Sequence, residues 1–380
     1  MNKKLLTILL LGAAVIPAFP AVEEEDNHEC TSWVVMPDLT GGKTMLLHKN
    51  RDSKGLPRTN LFRGAQPGKH AWIGISSGPQ TAPSSNAGVN DCGVSIVMNN
   101  GDRTDVASPV KGCSTPGMAM LALENCSTAA EAVEYLHEIV KAKKYSHGKN
   151  GSIWIVCDPN KAFIIENDAA RFAAHELKGG FGVRANGWHF PEMVIYSTLP
   201  QDRLTRYARR ELSVRSTLFA EGTKYKEPVT VERMNAPSRV NEIPGEPKAP
   251  PVCGSKTVSG ATMAIDREFP GVLTTLYAAF GHPRFTVYLP IPFTIDQVPP
   301  ELQDNSFSEA VFARFDAKRE LLPQDKLVEF ERELNKRQEE AIEKARAILK
   351  KGGSKEEAAK ILNETFRRNW EAVKKLSAGK

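Results

Sequence analysis

Cys30-Thr-Ser-Trp-Val-Val35, then Thr44-Met-Leu-Leu-His-Lys-Asn-Arg-Asp52, is the stretch on which the fold turns. Trp33-Val-Val-Met36 and Thr44-Met-Leu-Leu47 are apolar, partly β-branched runs, and Gly41-Gly42 between them supplies a turn. The spacing therefore predicts two paired strands. Such a hairpin returns Asn50-Arg51-Asp52 to the side of Cys30, where the first strand begins. If the mature chain started at Cys30, one residue would carry both a thiol nucleophile and an α-amine. An unperturbed amine, with a pKa of about 8, suits proton transfer near neutral pH. A carboxylate at Asp52 would hold that amine in place.

The sequence upstream of Cys30 fits such a start. Lys3 and Lys4 precede the apolar run Leu5 to Ile16, which has the form of a secretory signal and is too short to span a membrane. Residues 1–21 are expected to be that signal. The acidic stretch Val22-Glu-Glu-Glu-Asp-Asn-His-Glu29 is expected to be a removable pro-segment. The polar Asn27-His28-Glu29 ahead of Cys30 argues against a lipid anchor there. A secreted or periplasmic location follows from this reading.

The 380 residues, 41% hydrophobic and 25% charged, are ordinary for a globular protein with a substantial core. The full chain has 50 basic and 45 acidic residues; losing two lysines and five acids with residues 1–29 leaves 48 against 40, or +8. A surface of that sign suits anionic ligands or peripheral contact with an envelope. With no arginine-aromatic stripe, no nucleic-acid partner is expected. The six cysteines, at 30, 92, 113, 126, 157 and 253, are too scattered for a small disulfide scaffold, although Cys113 and Cys126 could pair. No CxxC, HExxH or tight His/Asp cluster occurs, so neither a metal nor an organic cofactor is expected.

Further along, Gly88-Val-Asn-Asp91 reads as a turn ahead of a strand over Gly93–Met98. Residues 117 to 143 read as helical, restarted by the capping box Thr128-Ala-Ala-Glu131. Ile153–Cys157 and Ala162–Glu166 flank Asp158-Pro-Asn-Lys161, a hairpin signal. Strands are expected at Phe172–Leu177, Gly182–Ala185, Thr257–Ile265 and Phe285–Leu289, a helix at Arg203–Phe219, and a Pro-rich loop over Ala236–Val252. From 306 to 380 the apolar spacing is helical (Leu327, Phe330, Leu334; then Ile361, Leu362, Phe366), broken at Gly352-Gly353 and recapped at Ser354-Lys-Glu-Glu357. These helices would pack on the core or, alternatively, on a second subunit of a homo-oligomer. The economical architecture is one α+β body over 30–305 with a helical extension over 306–380.

Strand ends collect the remaining candidates. Asn99 and Asn100 follow the strand after Gly93 and offer donors for an oxyanion. Asn186 closes another strand in Arg184-Ala-Asn-Gly-Trp-His189. Arg206, in Leu204-Thr-Arg-Tyr-Ala-Arg209, would fix the site's carboxylate or the substrate, in competition with Arg203, Arg209 and Arg210.

Taken in order, Cys30-Thr-Ser, Lys49-Asn-Arg-Asp52, Gly88-Val-Asn-Asp-Cys-Gly93 leading to Asn99-Asn100, Asp158 to Glu166, Asn186 and Thr205-Arg-Tyr-Ala-Arg209 resemble the cysteine-type N-terminal nucleophile (Ntn) hydrolases. That group includes choloylglycine hydrolases, penicillin V acylases, autoproteolytic acyltransferases and cysteine dipeptidases. The resemblance spans residues 30–290 and implies a four-layer αββα sandwich. It implies Cys30 as nucleophile, Asp52 as partner of its amine, Asn99 or Asn100 at the oxyanion, Asn186 orienting amine or substrate, and Arg206 supporting the anionic network. Lys49, Asn50 and Asn99 would face the substrate, a small-molecule amide or short peptide. One departure matters. Bile-salt and penicillin acylases place arginine before Asn-x-Asp, and this chain has Lys49, which keeps the charge without the planar fork. That form is closer to the dipeptidase-like branch.

Two other readings compete. A papain-like enzyme would pair Cys92 or Cys157 with one of the eight histidines, but neither cysteine has the local motif. A non-catalytic envelope-binding protein on a degenerate Ntn fold would keep residues 22–29 and tolerate loss of the Cys30 thiol.

Overall fold

The computed structural model describes residues 30–53, 58–109, 112–219, 227–242 and 251–378. The expected signal and pro-segment lie outside the described residues. In chain order the strands begin with β1 (Thr31–Val35), β2 (Thr44–Asp52), β3 (Asn60–Gly64), β4 (Trp72–Ser76), β5 (Ala87–Asn90) and β6 (Ser95–Arg103). Short strands β7 (Cys113–Ser114) and β8 (Tyr145–Ser146) pair only with each other. Then follow β9 (Asn150–Cys157), β10 (Ala162–Asn167), β11 (Phe172–Glu176), β12 (Phe181–Arg184), β13 (Thr257–Asp266), β14 (Thr275–Phe280) and β15 (Leu289–Pro292). The main helices are α1 (Thr115–Asn125), α2 (Ala129–Lys141), α3 (Gln201–Leu218), α4 (Ser306–Asp316), α5 (Gln324–Lys350) and α6 (Lys355–Ser377).

Two antiparallel sheets carry the fold: β12-β1-β2-β13-β14-β15 and β11-β10-β9-β6-β5-β4-β3. The period-two alternation of strand side chains sorts β1 and β2 between two faces. Val34, Met45 and Leu47 point inward, against Val97, Ile153 and Ile155 of the other sheet. Their neighbours Trp33, Val35 and Leu46 point outward, against Val214 and Leu218 of α3 and against Met234. On the far side, Ile96, Met98, Trp154 and Val156 meet Met118, Ala122, Leu136 and Val140 of α1 and α2. The layers therefore run helix, sheet, sheet, helix: an α+β, four-layer αββα sandwich.

The helices beyond 306 share this core. Leu327 and Leu334 of α5 and Phe366, Trp370 and Val373 of α6 join the cluster that holds Leu276 and Ile291. The buried Arg239–Glu331 ion pair, and Gln338 Nε2 donating to Thr275 Oγ1 at 3.2 Å, tie α5 to the body. The two helices turn at Gly352, whose positive φ of 80° suits glycine, and α6 restarts with Ser354 Oγ accepting from Glu357 N. Among the described residues no helix is long and apolar enough to cross a membrane.

Several local expectations change. Gly88-Val-Asn-Asp91 is mostly strand β5, because Gly88 lies opposite Gly74 and an added Cβ would strike Ser85 and the Ile73 carbonyl. The turn falls later, at Asp91-Cys92-Gly93, with Gly93 at φ 82°. The strand expected over Phe285–Leu289 is instead β15, starting at Leu289. Pro290 and Pro292 are tolerated there because β15 is an edge strand. Strands β3, β4 and β14 were not expected. Part of the Pro-rich loop, 243–250, lies outside the described residues. All six cysteines are unbridged; Cys113 and Cys126, which the sequence left open as a pair, are buried as free thiols against α1 and α2.

Candidate functional site

The β1–β2 hairpin places the first candidates. Thr31 pairs with Asn50, so Cys30 stands opposite Arg51, with Asp52 next along. Cys30 Sγ lies 4.0 Å from the Asp52 carbonyl oxygen, and the residue is buried. Cys30, Ser32, Lys49 and Arg51 share the parity of inward-facing Val34 and Leu47. Lys49 is buried with its ammonium between the sheets, donating to the Met98 carbonyl and, at 2.9 Å, to Asn99 Oδ1. Burial lowers the Lys49 pKa. Cys30 opposes that shift by charge and by a hydrogen bond, Arg51 adds to it, and Asp52 opposes it. The thiol and the ammonium are thus close partners.

Asn99 is fully engaged. Its oxygen accepts from Ser32 Oγ at 2.7 Å and from Lys49, while its nitrogen donates to the carbonyls of Arg184 and Ala185 at 3.0 and 2.9 Å. This side chain staples β6 to β1 and to the end of β12; its amide is spent in that bracket and has no hydrogen left for an oxyanion. Asn186, just beyond the bracket, donates to the Asn100 carbonyl at 2.8 Å. The bracket thereby sets Asn186 and Asn100 side by side.

The opposite parity of β2 builds a second cluster, toward α3. Asp52 Oδ2 accepts from Arg210 Nη2 at 2.9 Å, and Oδ1 accepts from Thr257 Oγ1 at 2.6 Å. Arg210 is wholly buried and also donates to the Val252 carbonyl at 3.3 Å. Asn50 is buried on this same face, its amide on the Val252 carbonyl at 2.7 Å. Asn50 therefore fixes a loop and does not line the inner face beside the thiol, as a substrate-binding residue should.

The arginine on Asp52 is Arg210, not the expected Arg206. Arg206 sits one helical turn earlier on α3, half-buried, on the same stripe as Arg210. The choice is rotational: Tyr207 and Val214 anchor α3, and this turns Arg210 inward at the level of Asp52. Glu211, next along, accepts from Ala185 N at 2.8 Å and pairs with His189 at 3.2 Å, seating α3 against the Asn186 segment. Sequence reading missed Ser32, Thr257 and Glu211. Arg210 stood among the competitors of Arg206 in the sequence, beside Arg203 and Arg209, with nothing local to single it out.

The imidazole alternatives do not assemble at Cys30. His48 faces outward, is stacked on Trp33, and is held well below its usual pKa, first by burial and then by Arg239. Cys157 is fully buried, and burial, with Asp158 adding, pushes its thiol well above the usual range. Cys92 does lie beside a histidine, its Sγ 3.6 Å from His70 Nδ1. The same nitrogen already contacts Asp91 Oδ1 at 2.7 Å, and burial followed by Asp91 pushes the thiol up. That is the wrong direction for a nucleophile. A surface cleft of about 350 Å³ beside Asn60, Gln80 and Gln303 is lined by none of the residues around Cys30.

No protein-family profile matches the sequence, and no curated protein sequence matches it. Solved structures do match. Two are variants of conjugated bile acid hydrolase from Clostridium perfringens. One has 13% identity over 66% of this chain and 89% of that one, at a TM-score of 0.42; the other has 12% identity over 71% and 91%, at 0.43. A third is the Caenorhabditis elegans ortholog of N-acylethanolamine-hydrolyzing acid amidase, with 16% identity over 64% and 93%, at 0.40.

Proposed function

We propose that the chain is an exported N-terminal-nucleophile cysteine amidohydrolase that cleaves linear amide C–N bonds through a thioester on Cys30. The observation that carries this reading is the Asp52 carboxylate. It is clamped by Arg210 and Thr257 and set by strand register next to Cys30, where a freed α-amine would need an anionic partner.

Cleavage of the Glu29–Cys30 peptide bond, by this thiol or by another protease, frees the amine. The amine takes the thiol proton, and the sulfur electron pair attacks the amide carbonyl carbon, moving the π pair onto oxygen. Asn186, with a backbone N–H near Asn100, faces that oxygen. Collapse of the intermediate breaks the C–N bond as the ammonium returns its proton to the leaving nitrogen. Water, deprotonated by the amine, then attacks the thioester; the sulfur leaves and is reprotonated, and a carboxylic acid departs. Lys49 lies beside the sulfur as the counter-charge for its anionic form, and this inner-face cation is where the chain departs from the arginine of bile-salt and penicillin acylases.

The second reading is a dipeptidase or acyltransferase of the same superfamily, and Lys49 favours the dipeptidase. Screening N-acyl amino acids, dipeptides and β-lactam side-chain amides separates the two. The mechanism itself is tested by intact-mass and N-terminal sequencing of protein recovered from the exported fraction. The expected chain begins at Cys30, and Cys30→Ala abolishes its turnover. A fully active chain that still begins near Val22 would sink the free-amine mechanism.

A further inference from the structure

Residues 21 and 22 positions apart meet where the start of β4 faces the β5–β6 turn. Ala71 O accepts from Asp91 N at 2.9 Å, bringing His70 against Asp91 and Cys92. His70 Nδ1, an Asp91 carboxylate oxygen and Cys92 Sγ lie within 4.8 Å of one another. Near-neighbour spacing could not reveal this group, which is why no metal was expected from the sequence.

We propose that His70, Asp91 and Cys92 bind one divalent, borderline-soft metal ion such as Zn²⁺, with water completing the coordination. In the metal-free cluster, Asp91 Oδ1 and Cys92 Sγ both address the same nitrogen, at 2.7 and 3.6 Å, and that nitrogen carries at most one hydrogen. A cation in their midst engages all three donors. Bonds of 2.0–2.3 Å in tetrahedral geometry set ligand separations of about 3.3–3.8 Å. The sulfur–nitrogen distance already falls in that range. The 2.7 Å carboxylate contact must open by about 0.6–0.8 Å, which a carboxylate rotation supplies. Thiolate and carboxylate together neutralise a divalent charge, and an S/N/O donor set selects zinc-like ions over magnesium or calcium.

The surroundings hold the donors in place. His70 Nε2 contacts Ser127 Oγ at 3.0 Å, an outer partner that directs the Nδ1 lone pair toward the cluster. The second Asp91 oxygen accepts from Ala71 N at 3.2 Å. Asn90 Oδ1 accepts from the backbone of Cys92 and Val94 at 3.1 and 2.9 Å, fixing the turn. All three donor residues are partly exposed, which leaves room for a water ligand. The role is structural: the ion ties the start of β4 to the β5–β6 turn ahead of Ser95, and Ser95 is roughly 13 Å along β6 from Asn99.

The test is titration of the full, chelator-treated chain with Co²⁺, reading the thiolate-to-cobalt charge-transfer absorption. The expected result is one equivalent bound, with the absorption retained in Cys30→Ser, absent in Cys92→Ser, and at least tenfold weaker binding in His70→Ala. Asp91→Asn should weaken binding similarly, and Zn²⁺ should displace the cobalt and raise the thermal midpoint. No charge-transfer band at one equivalent, or a band that persists in Cys92→Ser, would overturn the proposal.

Discussion

Cys30 and Cys92 each sit at a strand end with an ionisable neighbour, and the neighbours have opposite charge. Beside Cys30 is the buried Lys49 ammonium; beside Cys92 is the Asp91 carboxylate, with Glu131 further off. A cation next to sulfur supports the anionic, nucleophilic form, whereas a carboxylate discourages it until a metal ion supplies the missing positive charge. The same side chain thus suits attack at one corner and coordination at the other. The hairpin decides the first, by setting Lys49 opposite Ser32 on the face that carries the Cys30 thiol, and chain adjacency decides the second, since Asp91 directly precedes Cys92 in the β5–β6 turn.

The largest effect expected of that contrast is on turnover. Cys30→Ser should lower kcat/KM by about 10⁴-fold or more, since a nucleophile's loss removes the whole covalent route. Cys92→Ser should leave kcat/KM within about twofold, because its corner is remote from the acyl group. Equal losses in the two variants would erase the distinction. Asp52→Asn comes next. It leaves the β2–β13 pairing intact and removes the charge that Arg210 and Thr257 hold, so a fall of roughly 10³-fold in kcat, with unchanged secondary structure by circular dichroism, is expected. Near-normal turnover would detach Asp52 from the amine.

Cys30 and Asp52 were legible in the sequence because one short hairpin joins them, and hairpin register follows from local turn and strand signals. Arg210 was not, because the choice between it and Arg206 depends on the rotation of α3, which Tyr207 and Val214 set through tertiary packing. Nor was the task of Asn99. A strand-end asparagine reads as a donor to solvent or substrate, and only the meeting of two sheets shows its four bonds spent on Ser32, Lys49 and the 184–185 backbone. The His70–Asp91–Cys92 group depended on β4 and β5, and the sequence reading assigned β4 no strand and most of β5 to a turn. The αββα layering was carried by the resemblance more than by periodicity, which left β3, β4 and β14 unassigned.

Lys49→Met tests the inner face directly. The variant keeps an unbranched side chain one atom shorter and removes the charge beside the sulfur. Turnover should fall by roughly 10²-fold, the scale of losing one preorganised electrostatic partner. Alkylation of Cys30 by iodoacetamide should slow in parallel, while alkylation of metal-free Cys92 is unchanged. Slowing at both thiols would indicate general loosening of the fold instead of a local charge effect.

The smallest effect extends the contrast from thiols to carboxylates. Asp52 is buried against a guanidinium; Asp102 is buried and, among the described residues, pairs with none. Burial raises the Asp102 pKa from 3.8 to about 6, and Glu166 adds to the rise, against hydrogen bonds from Ser197 and the Trp188 backbone and the charge of His189. Between those two values the folded state holds a proton that the unfolded state has released. The folded chain therefore loses stability as pH rises through that window, by about 3 kcal/mol at most, and the loss levels off above it. Asp102→Asn is neutral at every pH and escapes the loss. Urea midpoints should show the variant more stable than the parent at pH 7 and the two converging near pH 4. A constant difference across that range would mean that Asp102 is ionised in the fold, and that a buried carboxylate here needs no cationic neighbour to keep its charge.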